Sequence, residues 1–185
     1  MKTTDPTPRG QTTLDFAIAM GVFLLTIAFV FTFIPSLTAP FIDGNQEQTA
    51  VADRVASHLV EGSLADPNDP YVLNVTCTTA FFADNTAPAG CSYDVDGFQN
   101  RIGVSNRADV NVTLARVDAA TRDKTLLCDT GDGTVVKADS ADCDPSNDGV
   151  VYQIGDEPSD RESVTVARRV VTIDGQDATL LVKVW

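Results

Sequence analysis

Residues 14–34 read LDFAIAMGVFLLTIAFVFTFI, 21 residues with a single charge, on Asp15. At 1.5 Å per residue this segment makes a helix about 30 Å long, the thickness of a bilayer's hydrocarbon. None of residues 16–42 is charged. Lys2 and Arg9 lie upstream, so the positive-inside rule sets residues 1–10 in the cytoplasm and the chain beyond about residue 40 outside. Pro35 predicts the end of the helix or a kink in it, because proline has no N–H to give the ladder. An ordinary secretory signal fits poorly. Its apolar region spans about 7–15 residues before a small-residue cleavage site, whereas the nearest small residue here, in Leu37-Thr38-Ala39, is followed directly by Pro40. Ala17, Ala19, Gly21 and Ala28 stand among five phenylalanines, Phe16, Phe23, Phe29, Phe31 and Phe33. Small residues let such helices pack closely, in lipid or in a dry bundle.

Working outward, residues 35–45 (PSLTAPFIDGN) hold two prolines and a glycine and read as a joint. Asn45 has the place of an N-cap, with Gln48 at the capping-box position. Val51, Val55 and Leu59 recur every four residues beside Ala52, Ala56 and Val60. They predict an amphipathic helix over 45–61 that stops at Gly62. Strand patterns follow at 71–77 (YVLNVTC) and 109–117 (DVNVTLARV), with shorter candidates at 101–105, 125–128, 134–137 and 149–154. The clearest pair is 163–173 (SVTVARRVVTI) and 178–185 (ATLLVKVW), flanking the hairpin signal Asp174-Gly175. The expected class is α+β: a long N-terminal hydrophobic helix continuing into an amphipathic one, packed on a C-terminal antiparallel β-rich domain.

The chain carries 26 acidic and 13 basic residues, net −13, with 22 Asp, 4 Glu and 4 Lys. That balance repels nucleic acid. Scattered carboxylates with little lysine suit high external salt, where screening removes self-repulsion, and so point to a halophilic source. Cys77, Cys91, Cys128 and Cys143 all follow the apolar run, in C-x13-C and C-x14-C spacings without a CxxC. Zinc and redox readings are therefore weak. Of three possible disulfide connectivities the local one, Cys77–Cys91 and Cys128–Cys143, is preferred over the other two and over four buried thiols. Disulfides require an oxidising compartment.

Candidate chemistry is sparse. Asp129, Asp132, Asp139, Asp142, Asp144 and Asp148 crowd one stretch, and Asp142, Asp144 and Asp148 loosely follow the start of a calcium loop. Pro145 intrudes, the glycine comes late and no Glu closes the loop, so solvated carboxylates are the stronger reading. Asn74-Val75-Thr76 and Asn111-Val112-Thr113 are N-glycosylation sequons on expected strands. His58, the single histidine, has no nearby nucleophile and reads as a surface residue. No GxSxG, HExxH or Walker loop is present, so neither an enzyme nor a cofactor is expected.

The residues before the helix, Arg9-Gly10-Gln11-Thr12-Thr13-Leu14-Asp15-Phe16, resemble the class III signal peptide of type IV prepilins, most closely archaeal ones. The resemblance covers residues 1 to about 35. It implies that a dedicated membrane peptidase cuts after Gly10, leaving Gln11 first and Asp15 fifth, where Asp stands for the more usual Glu. It divides the chain into a leader (1–10), a membrane or filament-core helix (11–34), a joint with an amphipathic helix (35–62) and an extracellular β-rich domain (63–185). It also implies sister pilin-like subunits as partners. The apolar run differs from those of archaeal major pilins and archaellins, which favours a minor subunit. Physical chemistry runs the same way. A carboxylate at the bilayer centre costs about 2.5–3.5 kcal/mol, and less near a helix end. Cleavage would place a new ammonium one turn away, on the same helix or a neighbour's. The alternatives are a solvated Asp15 at the headgroups and a permanently anchored surface-binding domain that never polymerises.

Overall fold

The β-sheet grows from Asp174-Gly175, whose φ angles of 49° and 68° make a left-handed two-residue turn. It joins β8 (Thr165–Ile173) to β9 (Gln176–Val184) in unbroken antiparallel register from Ile173↔Gln176 to Thr165↔Val184. The computed structural model describes residues 11–42, 45–93, 97–104, 108–118 and 121–185. It divides into two units, 1–44 and 45–185. The first holds α1 (Gln11–Ile42). This helix runs past Pro35 and Pro40, so of the end or kink expected at Pro35 it does not show the end. Each proline removes one ladder bond, and the neighbouring residues still supply theirs.

The second unit, hereafter the head, opens with α2 (Asn45–His58) and a π-helical turn, Leu59–Ser63. The helical pattern thus runs through Gly62 rather than stopping there. The Leu64 N–H reaches the Leu59 carbonyl five residues back, at 3.0 Å. Ala52, Val55, Ala56, Leu59 and Val60 are fully buried, and α2 lies on β8 and β9. The Gln48 side chain accepts from the Thr165 hydroxyl at 3.5 Å, and the side chain of Asn45, its expected capping-box partner, lies outside those described.

The remaining elements are β1 (Ala65–Asp66), β2 (Asp69–Leu73), α3 (Val75–Phe82), α4 (Phe98–Arg101), β3 (Val110–Val117), β4 (Lys124–Asp129), β5 (Val135–Lys137), β6 (Val150–Val151) and β7 (Gln153–Ile154). The sheet order is β1-β2-β8-β9-β3-β4-β5, with β6 on β4 and β7 on β3. All pairs are antiparallel except β2–β8. The class is α+β, as the sequence implies. Three expected strands differ. Residues 71–77 are strand only to Leu73. Asn74 then caps a helix by accepting from the Cys77 N–H at 3.1 Å, and burial of Cys77, Ala80, Phe81 and Phe82 outweighs the β-preference of Thr76, Thr78 and Thr79. Of residues 101–105, Arg101 ends α4, residues 102–104 follow it without strand, and Ser105 lies outside the described residues. The strand at 149–154 is split at Tyr152, whose N–H bonds to Leu127 at 2.8 Å and whose carbonyl accepts from Leu114 at 3.0 Å. One half therefore pairs with β4 and the other with β3.

Candidate functional site

Two features of the chain carry chemistry: the apolar helix and the acidic end of the head. Along α1, residues 13–33 are long and apolar enough to cross a membrane and are wholly unburied. Its hydroxyls need no outside partner. Thr26 Oγ1 donates to the Val22 carbonyl at 2.9 Å and Thr32 Oγ1 to the Ala28 carbonyl at 2.8 Å, which keeps polar groups satisfied in hydrocarbon. Asp15 is exposed one turn beyond Gln11, the first helical residue, with exposed Leu14 and Phe16 beside it. Arg9 and Gly10 lie outside the described residues.

In the head both disulfides have the expected partners. Cys77 of α3 is bonded to Cys91, and Cys128 of β4 to Cys143. Each ties a regular element to a loop. With its cysteines 15 positions apart, Cys128–Cys143 should contribute about 3 kcal/mol. The double variant Cys128→Ser/Cys143→Ser is expected to lose that much in a denaturant titration.

Beside this bridge lies a buried network that sequence patterns did not single out. Asp129 is 4 % exposed. Its Oδ2 accepts from the Thr79 hydroxyl at 2.6 Å, and its Oδ1 from the N–H groups of Gly131 (2.8 Å) and Gly133 (3.0 Å). Thr79 Oγ1 also meets the Tyr152 hydroxyl at 3.0 Å, and burial pushes the Tyr152 phenol well above its usual range. Among six aspartates between 129 and 148, nothing in sequence marks Asp129 as the buried one. Only the contact with α3 does.

Two of the weak calcium candidates accept local hydrogen bonds. Asp144 Oδ1 accepts from the Ser146 N–H at 2.8 Å and Oδ2 from Asn147 Nδ2 at 3.2 Å. Asp142 accepts from the Ser140 hydroxyl at 3.1 Å, and Asp148 is exposed at φ 61°. Among the described residues no group of three or more His, Cys, Asp or Glu is placed to hold a metal ion. Hydrogen bonds from the Thr130 hydroxyl and the Thr134 amide lower the pKa of Asp132, and those from Ser146 lower that of Asp144. A carboxyl whose folded pKa is depressed stabilises above its unfolded pKa and loses that contribution as pH falls through the folded one. These two contributions are thus present at neutral pH and lost in acid.

The sequons are unequal. Asn74 is half-buried with its oxygen held in the α3 cap. Asn111 is fully buried in β3, its amide nitrogen donating to the Gly155 carbonyl at 3.0 Å, so a glycan there is incompatible with the folded head. His58 is exposed, its Nδ1 3.2 Å from the Ser63 hydroxyl. Arg101, expected on a strand, is a buried α4 residue 3.1 Å from Asp84 and stacked over Tyr93.

No curated protein and no solved structure matches this chain. One family model does, over residues 7–185, so the match takes in both the apolar helix and the head. The chain belongs to that family, DUF7287, a family of unknown function.

Proposed function

We propose that the chain is a type IV pilin-like subunit of a halophilic archaeal surface, a minor rather than a main structural one, serving adhesion or contact with sister subunits. A prepilin peptidase removes residues 1–10, α1 anchors the subunit in the membrane or in a filament core, and the disulfide-braced head stands outside the cell. The observation that carries this reading is Asp15, the one charge in an exposed apolar helix. It sits one turn from the amine that cleavage after Gly10 would create.

Intact-mass measurement on the protein taken from its own cells tests it directly. The expected N-terminus is Gln11. A chain beginning at Met1 instead supports the permanently anchored binding domain. Asp15→Asn keeps size and removes charge. It should lower co-purification with sister subunits about tenfold, the equivalent of ~1.4 kcal/mol, while leaving head unfolding unchanged. Wild-type recovery of partners would remove Asp15 from assembly.

A further inference from the structure

The β8 edge is open, and the cause is visible in β2. The two strands pair in parallel at only Val72↔Thr172 and Leu73↔Ile173. Tyr71, at φ 67°, stands next to that short pairing, and β2 pairs on its other edge with β1 at Leu73↔Ala65 and Asp69↔Asp66. A left-handed backbone is a steric outlier for an aromatic residue, and the Tyr71 hydroxyl donates to Glu61 Oε1 at 2.8 Å, tying this residue to the π-helical turn. Among the described residues, β8 from Thr165 to Val171 therefore has a paired strand on one side only.

The hairpin fixes which groups face the open side. Ile173 and Gln176 flank the two-residue turn and exchange hydrogen bonds, so Val171, Arg169, Ala167 and Thr165 bond to β9. Val166, Arg168 and Val170 aim their N–H and C=O outward. Among the described residues the one partner these groups have is Arg169 Nη1, 3.0 Å from the Arg168 carbonyl. Their side chains lie on the sheet face opposite Arg169, which reaches Asp53 and Ser57 of α2. On that face Val170 is 71 % exposed, Val166 41 % and Val72 40 %. Arg168 stands between the first two, and Lys183 is paired across from Val166. A cationic, apolar edge on a chain of net charge −13 is complementary to the rest of its own surface.

We propose that this edge receives an acidic extended segment of a second copy of the chain, which adds to β8 as a further strand. Two β8 edges meeting about a two-fold axis would set Arg168 against Arg168 at greatest overlap, a like-charge pair. The sister therefore offers a different surface, and the contact is head-to-tail and able to repeat. This goes beyond the tail-based reading and does not depend on leader cleavage.

The test uses the full chain in detergent micelles, with mass followed against concentration and amide exchange read at Val166, Arg168 and Val170. Association should slow exchange at these amides at least tenfold. Arg168→Glu, or Val170→Pro (which removes an outward N–H without breaking a bond to β9), should weaken association at least tenfold with unchanged near-UV dichroism. If the proline variant misfolds, the exposed Arg168→Glu carries the test. The proposal is overturned if wild type stays monomeric, or if protection appears at monomer mass. Equal association of both variants with wild type also overturns it, and Arg168 then only guards the edge. Association lost in Asp15→Asn but kept in Arg168→Glu assigns the contact to the tail and overturns the edge alone.

Discussion

Removal of residues 178–185 should leave the head unable to fold. They form most of β9, which lies between β8 and β3 and pairs with both. Ala178, Leu180, Val182 and Val184 are buried in the core and Leu181 on the opposite face. Each larger side chain contributes about 1.5–3 kcal/mol on burial, so together they match the whole stability of an ordinary domain, roughly 5–15 kcal/mol. The cut also opens both ladders and removes the Trp185–Asp109 main-chain bonds of 3.1 and 3.2 Å. Far-UV dichroism and thermal unfolding of the truncated chain should show no cooperative head transition. A transition within a few degrees of the full chain would contradict the central place given to β9.

Phe81→Ala is expected to be the most damaging single substitution in the head, at about 3–5 kcal/mol. Phe81 is fully buried in α3, with the rings of Phe82, Tyr93 and Phe98 at 5.4, 5.9 and 6.0 Å, all edge-on. Truncation leaves a cavity that three segments, α3, the loop at Tyr93 and α4, would have to close, and Cys77–Cys91 restrains two of them. The midpoint of thermal unfolding should fall by roughly 2–4 °C per kcal/mol for a chain of this size, about 10 °C in all. A fall under about 3 °C would mean that the aromatic cluster relaxes and is not the centre of packing described here.

The elements legible in sequence are those written by local chemistry. Asp174-Gly175 specifies a left-handed turn whatever surrounds it. The four-residue spacing of Val51, Val55 and Leu59 gives the buried stripe of α2, and two short cysteine gaps favour the local pairing. What was not legible depends on distant partners. Residues 74–79 carry strand-forming side chains, yet helix wins because Asn74 caps it and Phe81 must reach Tyr93 and Phe98. The strand at Tyr152 divides because two neighbours compete for it. Asn111 reads as a sequon until the Gly155 segment closes over it. A Cβ on Gly155 (φ 87°) would collide with the Val110 carbonyl oxygen, so the chain passes hard against β3. In the candidate site, the helical placement of Asp15 one turn from Gln11 follows from local sequence. The Asp129 network joins residues 50 positions apart and does not.

The self-bonded threonines of α1 have one more consequence. Because Thr26 and Thr32 already donate to their own backbone, exchanging lipid tails for protein neighbours around this part of the helix changes no hydrogen-bond inventory. Such an exchange is close to isoenergetic along most of its length. Asp15 is the one charged side chain of α1, so it is where a change of surroundings would be felt most.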